Sequence, residues 1–451
     1  MAGITITNWF GDLVSHPQVV VEASSVDDIV KILKDPDHYP SPVRAVGSNH
    51  STAPVGVAEG GTLIKMEKMN RILEIGQDTV TVQAGAVAID IAHELEKHGM
   101  QFYVNTEIGS LSAGSASCAG TKDASMPGEY GQVGSYIVGI KMVLPNGQLL
   151  EVTEDQPDLI QKVRSSYGLF GIVYEVTYRI RNILPMSVHH ETYKIAEFLD
   201  KLQDLLKLGY SIMYYMFPFE DLITVEFRRY NPDIKGDPDR HVWALRNYMW
   251  ATAGPTFSAQ VEANVHNKTV RYKVIDGFCA VWRFKLENLI KSDNTVATDQ
   301  IIKYPPVADN SRYTFSLWAF PEETYPKVLP KYIEFAKKYY KDHGYRNNML
   351  YVGYRILKDR QSLLSYSWDS NVMTIDPVST ANPGWQEFLP AYNQFCADMG
   401  GMPLPNQTPH LTRPLVEKAL GFRWKQFAEA RRTFDPNNRL LNPYFRDLLG
   451  E

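Results

Sequence analysis

The sequence predicts an α+β fold divided into two lobes. Three observations carry that expectation. A chain of 451 residues exceeds what one ordinary core accommodates. Its first 180 residues or so alternate short β-branched runs with helical stretches. Beyond "GIVYEVTYRIRNILP" the pattern turns to aromatic-rich strands with helices between them.

In the first lobe, "VVVEAS" reads as a strand and "SVDDIVKILKD" as a helix that begins on a Ser/Asp cap. Further strands follow at "VRAVG", "TLIKM", "ILEIG" and "TVTVQAG". "AVAIDIAHELEKHG" is an amphipathic helix closed by Gly99. In the second lobe, "SIMYYMFPFEDLITVEFRRYN" and "RYTFSLWAFP" read as strands and "TYPKVLPKYIEFAKKYYKDHG" as a helix. The tail "FRWKQFAEARRTFDPNNRLLNPYFRDLL" reads as a helix, a turn at DPNN and a final short element. These boundaries divide the chain into residues 1–182, 183–405 and 406–451.

Composition narrows the function classes. With 44% hydrophobic and 22% charged residues, the chain has the make-up of a globular protein. Its net charge of -5 and the absence of long lysine/arginine clusters give no footprint for nucleic acid or an anionic membrane, so a small-molecule substrate is the expected partner. No segment approaches a membrane span, and the start "MAGITITNWFGDLV" lacks the cationic and apolar regions of a leader, which makes the cytoplasm the expected compartment. Cys118, Cys279 and Cys396 are too widely spaced for a CxxC metal site, and buried thiols are expected. His189 and His190 have no matching ligand spacing and read as surface residues.

The stretch "VRAVGSNHSTAPVG" sets Gly47, Ser48, Asn49 and Ser51 between a strand and Pro54. Successive small residues let backbone N–H groups approach a diphosphate. A second small-residue run, "GSLSAGSASCAGTKDAS", and a third stretch, "YGLFGIVYEVTYRI", with Gly168 and Gly171 ahead of an apolar strand, point to backbone lying against a bulky ligand.

In order and spacing, "RAVGSNHS", "GSASCAGTK", "GSYIVGIKMVLPNGQ" and "GLFGIVYEVT" resemble the flavin domain of the vanillyl-alcohol oxidase superfamily, and with "FDPNNRLLNPYF" they resemble most its aldonolactone and alditol oxidase branch. The resemblance implies a two-domain, PCMH-type FAD-binding fold, with a substrate domain of antiparallel sheet flanked by helices. It implies that Gly47, Ser48, Asn49, His50 and Ser51 bind the FAD pyrophosphate. Ser112, Gly114, Ser115, Ala116, Cys118, Gly120 and Thr121 would pack along the isoalloxazine, and Gly171, Ile172 and Val173 would hold the adenine side. In that branch the histidine at the position of His50 is commonly bonded to the flavin 8α-methyl, so covalent FAD is expected. Cys118 lies in a different pattern from doubly linked members and reads as a packing residue.

The implied chemistry is hydride removal from a CH–OH or CH–NH carbon, with O2 or another acceptor regenerating the flavin. Sugar-oxidising members place Glu-x-Arg on one strand, a histidine about twenty residues on, and Pro-His-x-x-Lys near the C-terminus. Here Gly353 stands at the glutamate with Arg355 retained, Asp376 falls at the histidine, and "TPHLTRP" keeps His410 but has Arg413 for the lysine. Ala116 stands where polyol oxidases use serine. These losses disfavour a simple alditol and favour an aromatic or specialised-metabolite substrate, with an aldonolactone as the alternative. Arg355 and Arg413 would hold an anionic or carbonyl group, and Asp376, His410 or a tyrosine of "SIMYYMF" would be the base. Lys122, where many relatives have histidine, reads as solvated at the mouth of the site. A flavin-binding subunit without substrate chemistry is the rival of another class.

Overall fold

The computed structural model describes residues 4–234, 236–304 and 311–451. In the first lobe, strands Val19–Glu22, Thr62–Lys65 and Val43–Val46 form a small parallel sheet with Thr62–Lys65 central. Helix Val26–Lys34 packs beside it, starting at Ser25, whose side chain accepts from the Asp28 N–H in a reciprocal capping box. An antiparallel sheet follows in the order Leu149–Thr153, Ile137–Val143, Ile172–Asn182, Thr79–Gln83, Ile72–Ile75. Helix Ala88–Lys97 ends before Gly99, whose φ of 70° is left-handed.

The second lobe is built on eight antiparallel strands in the order Ser292–Val296, Pro185–Lys194, Leu222–Tyr230, Ser211–Phe217, Tyr351–Ile356, Val372–Ile375, Trp318–Pro321, Met402–Pro403. All seven residues of Ser211–Phe217 are buried, because both faces of the sheet are covered. Alternation sends Ile212, Tyr214 and Met216 into one apolar cluster and Met213, Tyr215 and Phe217 into another. Helices Tyr325–His343 and Trp385–Asp398 cover the first face, while helices Gly254–Asn264 and Lys268–Leu289 contribute to the second.

The C-terminal helices Phe422–Phe434 and Pro443–Leu449 lie against the first lobe. Asn442 donates to the carbonyls of Pro54 and Val57, and Arg439 to those of Ile32 and Leu33. The fold is thus α+β with two parts, and the aromatic strands occupy the second, as the sequence pattern predicts.

The two histidines of Pro185–Lys194 divide. His189 is half-exposed, but His190 is a correction to the surface reading. It is buried, with Nε2 at 2.9 Å from Glu226 and Nδ1 at 3.0 Å from the Ile290 carbonyl. All three cysteines are free and buried.

Candidate active site

The loop after strand Val43–Val46 borders the larger of two adjoining cavities, with about 1010 Å³ of space counting its mouth open to solvent. Its shape is set from beneath by Arg44, whose buried guanidinium donates to the carbonyls of Val55, Tyr167, Gly168 and Leu440. One side chain therefore ties the loop to two other segments, including the C-terminal tail. A Cβ on Gly47 would lie 2.1 Å from Ser112 Oγ, so the first and second small-residue runs touch only because Gly47 has none. A Cβ on Gly114 would lie 2.8 Å from that of Ala84.

The residues fit a dinucleotide. Backbone N–H groups of residues 47–51 donate to no acceptor among the described residues, which leaves successive donors for an anion. Asn406 Oδ1, on the same wall, is buried without a partner. The walls include every cofactor residue expected above except Ser48, Ala116 and Gly120. Ser48 instead donates to the Ser110 carbonyl, Ala116 lines a smaller apolar cavity behind Leu111, and Gly120 makes room for Leu404.

His50 lines this cavity, with Nε2 2.7 Å from Ser110 Oγ and its ring stacked on Trp9 at 5.0 Å between centroids. Burial pushes its imidazole down to about 4, so the ring is neutral and nucleophilic at ordinary pH. Cys118 donates to the Gly114 carbonyl, and burial raises its thiol, which suits a packing role.

The second cavity, about 630 Å³, meets the first at Ile108, Leu111, Thr121 and Gln407. Trp250, Tyr304, Tyr313, Phe315 and Tyr354 give it aromatic walls, and Glu107, Lys122 and Asp376 give it charge. Lys122 Nζ lies 3.2 Å from Asp376 Oδ2 and 3.5 Å from the centroid of the Tyr354 ring. Tyr354 donates to Glu107 Oε2 at 2.6 Å, and Glu107 is ion-paired with Arg246. Burial pushes the Asp376 carboxyl up to about 6, against the opposing pull of Lys122, and also raises Glu107. Asp376 Oδ1 is buried and makes no hydrogen bond within 3.5 Å among the described residues, although the Thr374 side chain faces the carboxyl.

Of the expected substrate-side residues, only Asp376 reaches this cavity. Arg355 is a correction with a simple cause. On strand Tyr351–Ile356, Val352 and Tyr354 face the cavity, so the intervening pair Gly353 and Arg355 faces away. Arg355 pairs with Glu322 there, Nη2 to Oε1 at 3.3 Å, and Gly353 makes room for the Tyr214 ring. His410 and Arg413 are also corrected. They lie at the exposed start of helix Arg413–Leu420, bonded to Gln386 at 2.7 Å and Glu417 at 2.7 Å. The tail reaches the site through Asn406 and Gln407 instead. Lys122 is the last correction. Its side chain is 7% exposed and paired, not solvated.

The tyrosines of "SIMYYMF" are packed in the two cores. Glu107, Trp250, Tyr304, Tyr313, Phe315 and Gln407 were not legible as site residues, since they come from five scattered segments with no motif. The one available signal was the acidic residue of "NTEIGS", immediately before the small-residue run.

Comparison with known proteins agrees with this geometry. Residues 17–153 match the family described as FAD binding domain. Over 98% of this chain and 99% of its own length, L-gulono-1,4-lactone dehydrogenase of Mycobacterium tuberculosis is 22% identical. L-gulonolactone oxidase of Mus musculus is also 22% identical, over 98% of this chain and 97% of its own. Cholesterol oxidase from B. sterolicum shares the fold, with a TM-score of 0.77 at 15% identity over 99% of this chain and 96% of its own. The open loop amides, the cavity they border and the matched segment converge on one assignment: residues 17–153 form an FAD-binding domain, in a chain similar over its full length to sugar-lactone oxidases and dehydrogenases.

Proposed function

We propose that this flavoenzyme oxidises a CH–OH carbon of a small ring-shaped substrate seated in the aromatic cavity, with Asp376 as the base. The observation that supports the reading is Asp376, which lines a cavity adjoining the one bordered by the small-residue loop and whose buried carboxyl is ion-paired through Oδ2 alone. Bound FAD supplies a two-electron acceptor for the hydride. The chain's own residues orient the hydroxyl, receive its proton at Asp376 and exclude water by the aromatic walls.

The full-length relatives favour an aldonolactone as substrate. Its ring stacks on aromatic faces, and its hydroxyls find partners in Glu107, Lys122, Asp376 and Gln407. A second reading, an aromatic or less hydroxylated alcohol, is favoured by the five aromatic side chains of the walls.

His50 carries the covalent flavin link in this proposal, supported by its neutral ring on the cofactor wall. Acid denaturation tests it: flavin that stays with the polypeptide and becomes extractable in His50→Ala supports the link, and flavin released from the native chain refutes it. Anaerobic mixing with lactones and with aromatic alcohols tests the substrate class. Bleaching of the flavin by one panel selects that reading, and bleaching by neither removes both and favours a flavin-binding subunit.

A further inference from the structure

Lys122 follows directly on the flavin-facing segment, yet its side chain turns into the aromatic cavity and is buried with its partner, 7% and 5% exposed. A buried ion pair whose carboxylate uses one oxygen only leaves the other oxygen free to accept from a ligand at the cavity it borders. This pair is one-sided. Asp376 Oδ2 is held by Lys122 at 3.2 Å, whereas Oδ1 makes no hydrogen bond within 3.5 Å among the described residues, with the Thr374 hydroxyl the neutral donor facing the carboxyl. The ammonium is itself fixed from below by the Tyr354 ring, and that ring is pinned at its hydroxyl by Glu107.

We propose that Lys122 is a positioning residue, anchoring Asp376 through Oδ2 so that Oδ1 is the basic atom presented to the substrate hydroxyl. The proposal rests on the alcohol-oxidation reading above. In the step it serves, the O–H proton passes to Oδ1, the C–H electron pair leaves as hydride to the two-electron acceptor, and the carbon becomes a carbonyl. Lys122 keeps its proton throughout and opposes protonation of Asp376 before the substrate arrives.

The charged groups facing Asp376 are Lys122 and Glu107. The phenols of Tyr214, Tyr325, Tyr354, Tyr366 and Tyr392 and the thiol of Cys396 around it are held neutral by burial. Removing the lysine charge therefore removes the one cation among these groups.

The test is an infrared titration of the FAD-loaded protein, with Asp376→Asn assigning the carboxyl band. Lys122→Met is expected to raise the Asp376 midpoint by at least about one pH unit, a tenfold change in proton affinity, and Lys122→Arg to return most of it. Lys122→Gln, which keeps a donor without the charge, takes the same reading if the methionine variant does not fold. An unmoved midpoint in both charge-free variants overturns the proposal. Where a substrate bleaches the flavin, the acid limb of the reduction rate is expected to move with the midpoint, and an unmoved limb also overturns it. A shifted midpoint with no bleaching by any alcohol supports the anchoring and refutes the alcohol reading instead.

Discussion

The cofactor cavity takes its walls largely from backbone and small side chains clustered in three short stretches of sequence. The cavity beside it takes its walls from bulky aromatic and buried charged side chains drawn from at least five separate segments, from Glu107 to Gln407. The two meet at Thr121, yet they obey different rules. A backbone cradle needs particular small residues at fixed local spacing, so it tolerates almost no added volume. A side-chain cavity needs only that the tertiary fold bring suitable groups together, and chemistry depends on one or two of them.

The sharpest way to break that contrast is at Gly47. Gly47→Val is expected to abolish stoichiometric flavin uptake, because its first carbon already falls 2.1 Å from Ser112 Oγ. Absorbance of the purified variant near the flavin bands reads this directly.

Next in size is Asp376→Asn. It is expected to keep its flavin and lose about 10²- to 10⁴-fold in the rate of flavin reduction, the usual worth of a general base. With the native residue, the rate should rise through about pH 6 and level off above, as the carboxyl pushed up by burial ionises. Stability should run the other way. The folded value lies above the ordinary 3.8, so the contribution of Asp376 is fully present below about pH 4 and is lost as pH rises through about 6. Stopped-flow reduction and thermal unfolding across pH 4 to 8 check the two opposite slopes.

His50→Ala stands between the cavities in effect. It should release the flavin from covalent attachment while slowing reduction only about tenfold, or 1.4 kcal/mol, since no proton is handled there. Single-turnover reduction after reconstitution with FAD measures it.

The smallest effect belongs to Arg413→Ala. Its half-exposed pair with Glu417 predicts less than about 1 kcal/mol of stability and an unchanged reduction rate. A tenfold loss of rate there would restore the tail arginine to the site and undo the assignment of that role to Asn406 and Gln407.

How much was legible follows the same division. The capped helix at Ser25, the helix closed by Gly99 and the small-residue loop on the cavity wall are local devices, written in neighbouring residues. The substrate side was misread at Arg355 for a specific reason. With a side-chain period of two, matching a strand to a family pattern errs completely when the register slips by one residue, and Val352 and Tyr354 take the place of Gly353 and Arg355. Lys122 was misread because its neighbours in sequence are small and polar, while its neighbours in space are Asp376 and Tyr354.

By itself, then, the sequence determined the two-part α+β architecture, the FAD-binding domain and the small-residue loop on the cavity wall, because periodicity, caps and small-residue spacing act over a few residues. Only the tertiary structure decided which charges share the substrate cavity. Asp376 and Lys122 are 254 positions apart, and Glu107 and Tyr354 are 247 apart. Their pairing depends on how a sheet's two faces and the flavin segment close on one another, and burial at that meeting point gives Asp376 its altered proton affinity.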